Sequence, residues 1–262
     1  MLIFRPKLPI TEDDRQWVDG GFARLEKLLG RERMLQAKVA LPTAEDFPDF
    51  YDKTPATAEI LFARVCAYMS VGRGQVEFEV FRDETEELRE ILPYWRNHTG
   101  GCAGLYTHHD GQQEPAGSHQ RRMIVAVRST QLQDPMALVA TLAHELGHVI
   151  LLGGGLMDAK TPDHEPMTDL LTVFLGMGIF TANSSARFLQ FQDERRQGWS
   201  MQRLGYLPEE IFGYALAKFA RERGEDRPEW VRHLSTNVRS YYKRSRNYLK
   251  NELPAPAPEP IH

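Results

Sequence analysis

Cysteine is scarce in this chain of 262 residues, and long hydrophobic runs are missing. The two cysteines, Cys66 and Cys102, are too few for a disulfide framework and have no CxxC spacing, so we expect reduced thiols in the core. The longest nearly unbroken apolar run, Leu170 to Phe180, has 11 residues, whereas a membrane-spanning helix needs about 20. The N-terminus lacks the apolar run of a secretory signal. These features predict a soluble, cytoplasmic protein that binds no membrane.

A strong excess of charge is missing too. The formal net charge is −4 at pH 7, which argues against nucleic acid as the main partner. Hydrophobic residues make up 42% of the chain, enough for a substantial core, and no repeat or linker divides the sequence. We predict a single domain over residues 1–252, with an α/β part over about 1–133 and a helical part over about 134–252. A proline-rich flexible tail should follow over 253–262.

Hydrophobic periodicity and capping residues predict an α+β fold, with a small antiparallel sheet in the first half and long helices in the second. We expect a strand at Val76–Phe81, and two more at Gly104–Thr107 and Arg121–Arg128 that pair as antiparallel neighbours. The predicted helices cover about residues 11–30, 55–71, 84–92, 135–152, 165–180, 208–223 and 227–251.

One motif indicates a chemistry. In the helix predicted at 135–152, His144, Glu145 and His148 form the pattern HExxH. Two histidines four residues apart project from one helical face, a spacing that lets both imidazoles bind a single Zn²⁺. The glutamate beside the first histidine then lies next to the open position of the metal and can take a proton from zinc-bound water. This pattern is a signature of zinc metallopeptidases.

The surroundings of the motif strengthen the metal hypothesis. Nearly every other position of this helix is apolar, which predicts a central core helix. Burying two histidines and a glutamate without partners is costly, and a metal ion is the simplest partner. The alternative is a helix whose polar side chains only satisfy hydrogen bonds.

A catalytic zinc also needs a third protein ligand. Glu165 and Asp169 follow in the next predicted helix, four residues apart and so on one face. An ExxxD on the helix after HExxH resembles the gluzincins, zinc metallopeptidases of the thermolysin and neprilysin type, and the resemblance covers about Thr141–Phe180. It implies a zincin-like fold, with the small sheet packed on the metal-binding helix. It also implies zinc ligation by His144, His148 and Glu165, a general base in Glu145, and orientation of a ligand histidine by Asp169.

The proline after Glu165 leaves the third ligand open. A residue before proline is steered away from α-helical geometry, so Glu165 lies in the first turn of its helix or just outside it. Asp169 is then an alternative ligand, as in zincins that use aspartate. His164 is another alternative, because carboxylates and imidazole all suit zinc.

A peptidase needs more than a metal. The strand that ends at Arg128 pairs with an extended peptide if it lies at a sheet edge, and is otherwise an ordinary core strand. A donor to the developing oxyanion is also expected, and we choose Tyr214 on the helix after the site. The other eligible side chains are Tyr106, His108, His109, Tyr206 and His233.

The last predicted helix is basic and has no acid between Val231 and Lys250. We expect a solvated face whose apolar stripe, Trp230, Leu234, Val238, Tyr241 and Leu249, packs on the body of the protein. The alternative is a surface for nucleic acid or an acidic partner. The charges are carried by Arg232, Arg239, Lys243, Arg244, Arg246 and Lys250.

These observations predict a zinc-dependent metallopeptidase that hydrolyses a peptide or protein substrate without an acyl-enzyme, with Glu145 as general base. The alternative is a zinc-binding module that does not cleave and acts through protein or nucleic-acid contacts of the basic C-terminal helix. A fourth protein ligand that closes the site, such as His108 or His109, would favour this alternative.

Overall fold

The computed structural model describes residues 7–82, 104–108, 123–193 and 207–251. Three predicted features lie outside these residues: the short acidic helix at 84–92, Cys102 and the proline-rich tail at 253–262.

Three helices form the first part of the chain: α1 (Glu12–Leu29), α2 (Arg31–Gln36) and α3 (Pro55–Met69). α1 begins as expected, because the Thr11 side chain accepts from the backbone N–H of Asp14 and the Asp14 carboxylate accepts from the backbone N–H of Thr11. α3 begins with Thr54 as N-cap and Pro55 in its first turn. Local capping chemistry therefore fixes both starts.

The sheet has three strands, β1 (Val76–Phe81), β2 (Gly104–His108) and β3 (Met123–Arg128), in the order β1-β3-β2. β2 pairs with β3 antiparallel, which confirms that prediction, but β1 pairs with β3 parallel, so the sheet is mixed and not antiparallel throughout. Alternation of apolar residues indicates a strand but not its direction. The long connection over 82–122 permits the crossover that parallel neighbours need.

β3 is the central strand, so of the two alternatives the edge strand that pairs with an extended peptide is wrong. Both of its sides are paired, with β1 and with β2. Its four middle residues, Ile124 to Val127, are all buried, as in a strand that is covered on both faces. The core-strand alternative is the correct one.

Five helices are described in the second part: α4 (Pro135–His148), α5 (His164–Phe174), α6 (Gly178–Asp193), α7 (Glu209–Glu222) and α8 (Thr236–Asn251). A π-helical turn, Val149–Gly153, follows α4. The single helix predicted at 165–180 is two helices, because Gly176 has φ +83° and interrupts the helical path between α5 and α6. The carbonyl of Gly176 accepts a hydrogen bond from the backbone N–H of Ala40.

α4 lies at the centre of the protein. Every residue from Leu138 to His148 is buried, and the helix contacts α3, α5, α6 and strands β2 and β3. The stretch Pro135–Gly153 is long and apolar enough to cross a membrane, but 78% of its apolar window is buried within the protein, as in a core helix. The fold is therefore α+β, with the HExxH motif in a buried helix of its core.

Candidate metal centre

A glycine lets the two helices of the site approach closely. Gly147 belongs to the HExxH motif of α4, and a Cβ built there would stand 2.7 Å from Cγ2 of Thr168 in α5. Nonbonded carbon atoms pack best at about 3.5–4.0 Å, so a larger residue would push the helices apart. The first two turns of α5 thereby reach the imidazoles of α4.

Three side chains bring potential metal ligands together. Nε2 of His144 lies 3.1 Å from Nε2 of His148, and Oε2 of Glu165 lies 3.0 Å and 3.3 Å from these two nitrogens. Ligand atoms around a tetrahedral ion, each bound at about 2.0–2.1 Å, are about 3.3 Å apart, so the observed spacing suits a metal ion. Within the described ranges no second group of three histidine, cysteine or acidic residues gathers in this way.

The group is buried at the histidines and open at the glutamate. The side chains of His144 and His148 are 5% and 9% exposed, whereas that of Glu165 is 32% exposed. Electron-rich atoms this close together in a buried place need protons or a metal ion between them, since their lone pairs otherwise repel. Two imidazoles and one carboxylate are a donor set that zinc accepts.

Asp169 holds His144 from the opposite side. Its Oδ1 lies 2.8 Å from Nδ1 of His144, and its Oδ2 accepts a 2.8 Å hydrogen bond from the backbone N–H of Leu207. Burial opposes the charged form of His144, but the carboxylates of Asp169 and Glu165 outweigh burial and raise the pKa of the imidazole well above its usual value. The proton on Nδ1 is thus directed to Asp169, and Nε2 faces Nε2 of His148 and Oε2 of Glu165.

The carboxylate of Glu165 is divided between two sets of partners. Oε2 faces the imidazoles of α4, and Oε1 lies 3.2 Å from Nε2 of His164, whose Nδ1 donates to the Thr161 carbonyl at 2.9 Å. Burial opposes the charge of Glu165, but the neighbouring imidazoles of His144, His148 and His164 outweigh it and hold the pKa of Glu165 far below its usual value. The same carboxylate raises the pKa of His164. Glu165 is therefore a charged carboxylate.

This arrangement bears on the three candidates for third ligand. α5 begins at His164, so Glu165 lies in its first turn although Pro166 follows. Glu165 faces both imidazoles of the motif, Asp169 contacts the opposite nitrogen of His144, and His164 contacts Glu165 itself. The geometry favours Glu165 as ligand and gives Asp169 and His164 supporting positions.

Glu145 is buried beside the group, with an exposed fraction of 4%. Burial raises the pKa of its carboxyl, and the neighbouring imidazoles of His148 and His144 oppose that shift. A raised pKa makes a carboxylate a better proton acceptor, which is the property that a general base requires.

Tyr214, the expected oxyanion donor, is fully buried in α7, and its hydroxyl donates to the Asp19 carboxylate at 3.1 Å. The hydroxyl proton that an oxyanion would need is therefore donated to Asp19 in this structure. The catalytic role of Tyr214 stays a prediction. His233 lies beside Arg232, whose Nε donates to its Nε2. Two of the remaining candidates, Tyr206 and His109, lie outside the described residues. For Tyr106 and His108 the structure describes the backbone but not the side chains.

The helix predicted at 227–251 begins only at Thr236 as α8, after a 3₁₀ turn at Glu229–His233. α8 packs on α7, and the apolar stripe of this basic segment is buried as expected, with one difference. Trp230, Leu234, Val238 and Leu249 are buried, but Tyr242 is buried in place of Tyr241. Part of the positive charge is used within the protein. The Arg239 guanidinium donates to the carbonyls of Arg232 and Leu234, and Lys250 pairs with Asp226.

One polar contact of the site was not expected from the sequence. The hydroxyl of Thr168 lies 3.3 Å from Nδ1 of His148, on the side away from Glu165. The available signal was position, since Thr168 is three residues after Glu165 and so shares its helical face.

Comparison with known proteins finds no matching protein-family model, no matching curated protein and no matching solved structure.

Proposed function

We propose that this chain is a zinc-dependent metallopeptidase of the gluzincin kind. The observation that carries the proposal is the grouping of two imidazole nitrogens and one carboxylate oxygen at mutual distances of 3.0–3.3 Å. The buried carboxylate of Glu145 beside the group supports a hydrolytic role over a structural one, because a structural metal site has no need of a base.

Each residue of the group has a separate role in the proposed reaction. His144, His148 and Glu165 would hold the ion, which when bound polarises the scissile carbonyl and activates a water molecule. Glu145 takes the proton of the attacking water and passes it to the leaving amine, so a single carboxyl serves as base and then as acid. Asp169 keeps His144 oriented, and its own second oxygen is fixed by the backbone of Leu207.

The test combines metal analysis with cleavage of a peptide library followed by mass spectrometry. We expect about one zinc per chain, and cleavage by the wild-type protein. Glu145→Gln should keep the zinc and lose about two orders of magnitude or more in rate, the scale of a lost general base. Glu79→Gln, at an exposed position of β1, is the matched control and should change neither property.

Two results would contradict the proposal. Unchanged cleavage by Glu145→Gln would remove the base from the mechanism. Zinc binding without cleavage of any library peptide would favour the alternative, a zinc-binding module that acts through contacts of its basic helix.

A further inference from the structure

Thr168 lies one helical turn after Glu165 and immediately before Asp169, and it is fully buried. Its hydroxyl has two polar neighbours. The carbonyl oxygen of His164 lies 2.8 Å away, and Nδ1 of His148 lies 3.3 Å away.

These two distances determine the direction of the hydrogen bonds. A hydroxyl has one proton to donate and lone pairs to accept with, whereas a carbonyl oxygen can only accept. The Thr168 proton therefore points to His164, at the shorter distance. Nδ1 of His148 consequently faces a lone pair, so this nitrogen carries the proton of the ring.

The tautomer of His148 follows. An imidazole protonated on Nδ1 keeps the lone pair on Nε2, which here faces Nε2 of His144 at 3.1 Å and Oε2 of Glu165 at 3.3 Å. We propose that Thr168 is a positioning residue that holds His148 in the Nδ1–H tautomer, with Nε2 aimed at the metal position. The metal part of this inference rests on the proposed function, whereas the tautomer does not.

Thr168 and Asp169 then form a pair of orienting groups. Asp169 contacts Nδ1 of His144, and Thr168 contacts Nδ1 of His148. Two consecutive residues of α5 therefore orient both histidines of α4. The glycine of the motif makes the second contact feasible, because a Cβ at Gly147 would collide with the Thr168 methyl group. The contact between Thr168 and His148 therefore depends on the close approach of the two helices.

A buried threonine in a helix often donates to the carbonyl four residues back only to satisfy its own proton. Three variants separate that structural role from positioning. Thr168→Val keeps the shape and removes the hydroxyl, and Thr168→Ser keeps the hydroxyl. Thr181→Val is the matched control, because Thr181 is also buried and its hydroxyl bonds to Thr172 in place of a histidine.

The first measurement is zinc affinity, by competition with a chromophoric chelator. We expect Thr168→Val to bind zinc about 10–100-fold more weakly, the usual penalty for losing the partner of a ligand histidine. Thr168→Ser and Thr181→Val should bind close to the wild-type affinity. Equal affinity of Thr168→Val and wild type would overturn the role in metal binding.

The second measurement is the tautomer of His148 in the zinc-free protein, from the ¹⁵N chemical shifts of its ring at a pH where it is neutral. We expect Nδ1–H in the wild type. In Thr168→Val the proton should move toward Nε2, which can then donate to Glu165. A wild-type ring protonated on Nε2 would overturn the proposal even if no variant folds. If the wild type binds no zinc, the proposed function fails, and the tautomer still decides the role of Thr168.

Discussion

The two histidines of the motif differ in the group that holds their second nitrogen. His144 contacts a buried carboxylate at 2.8 Å, and His148 contacts a hydroxyl at 3.3 Å. A carboxylate attracts the Nδ1 proton more strongly than a neutral oxygen does, so it makes its imidazole the stronger electron donor. His144 is therefore the histidine whose loss should affect the metal most.

Glu165 and Asp169 should respond differently to substitution. Glu165→Ala removes one of three ligand atoms, so we expect zinc binding to be lost almost completely. Asp169→Asn leaves all three ligand atoms but weakens the hold on His144, and it should cost about 10–100-fold in zinc affinity. Calorimetric titration of the zinc-free variants with zinc measures both effects.

The reverse order of these effects would show that Asp169 is the ligand. Glu209→Ala is a suitable control for Glu165→Ala, because Glu209 lies in the first turn of α7 and contacts Asn237, outside the metal group. Its zinc affinity should equal that of the wild type.

Cys66 should be unreactive in the folded protein. It is 1% exposed, and burial raises the pKa of its thiol to about 12, so the reactive thiolate is scarce near neutral pH. We expect iodoacetamide at about pH 8 to leave Cys66 unlabelled in the native state and to label it after unfolding. Mass spectrometry of the tryptic peptide Val65–Arg73 measures the labelling of Cys66 separately from that of Cys102. Fast labelling of the native protein would contradict the burial of Cys66.

At the scale of elements, the site depends on how closely α4 and α5 pack. α4 is capped by Asp134, whose side chain accepts from the backbone N–H groups of Met136 and Ala137, and it passes into a π-helical turn directly after His148. Single π turns within helices often occur at functional sites. His144 and His148, the proposed ligands, thus lie in the last two turns of regular helix, against the first turns of α5.

Gly147→Ala tests this packing. Alanine favours a helix over glycine by about 1 kcal/mol, but here its Cβ meets the Thr168 methyl group, and overpacking costs about 1–3 kcal/mol. We expect lower stability in urea unfolding and weaker zinc binding. Gly20→Ala is the control, since nothing lies within 4 Å of its added Cβ in α1, and it should raise stability by up to about 1 kcal/mol. A Gly147→Ala protein as stable as Gly20→Ala would contradict the close approach.

At the scale of the whole molecule, the candidate site joins two helices that belong to the centre of the fold. α5 contacts α1, α6 and α7 as well as α4, and α4 contacts α3, α6 and strands β2 and β3, so an ion held between α4 and α5 is coupled to most of the described helices and strands. A ligand that binds only the folded state stabilises it by mass action. Zinc should therefore stabilise the entire domain.

The thermal midpoint of the zinc-free protein should rise when zinc is added. At about 1,000 times Kd the gain is about 4 kcal/mol, which corresponds to roughly 10 °C for a chain of this size. His144→Ala should show almost no rise, whereas His233→Ala, which removes a histidine outside the ligand group, should respond like the wild type. Differential scanning calorimetry measures the midpoints. A wild-type midpoint that is independent of zinc would contradict the metal site.

Interactions within one element followed from the sequence. The start of α1 at Thr11, the start of α4 after Asp134, and the placement of His144 and His148 on one face all depend on spacings of two to four residues. Helix geometry fixes the relative positions of such near neighbours whatever the rest of the chain does.

Interactions between elements were decided by the tertiary structure. The parallel pairing of β1, the break at Gly176, the burial of Tyr242 in place of Tyr241, and the contact between Thr168 and His148 join residues far apart in the chain or depend on what packs beside them. An alternating strand pairs in either direction, and a threonine on a helix face has no partner until a second helix lies against it. The sequence by itself therefore determined the candidate ligands in α4, and the packing of α5 against α4 determined which carboxylate faces them and which groups hold them in place.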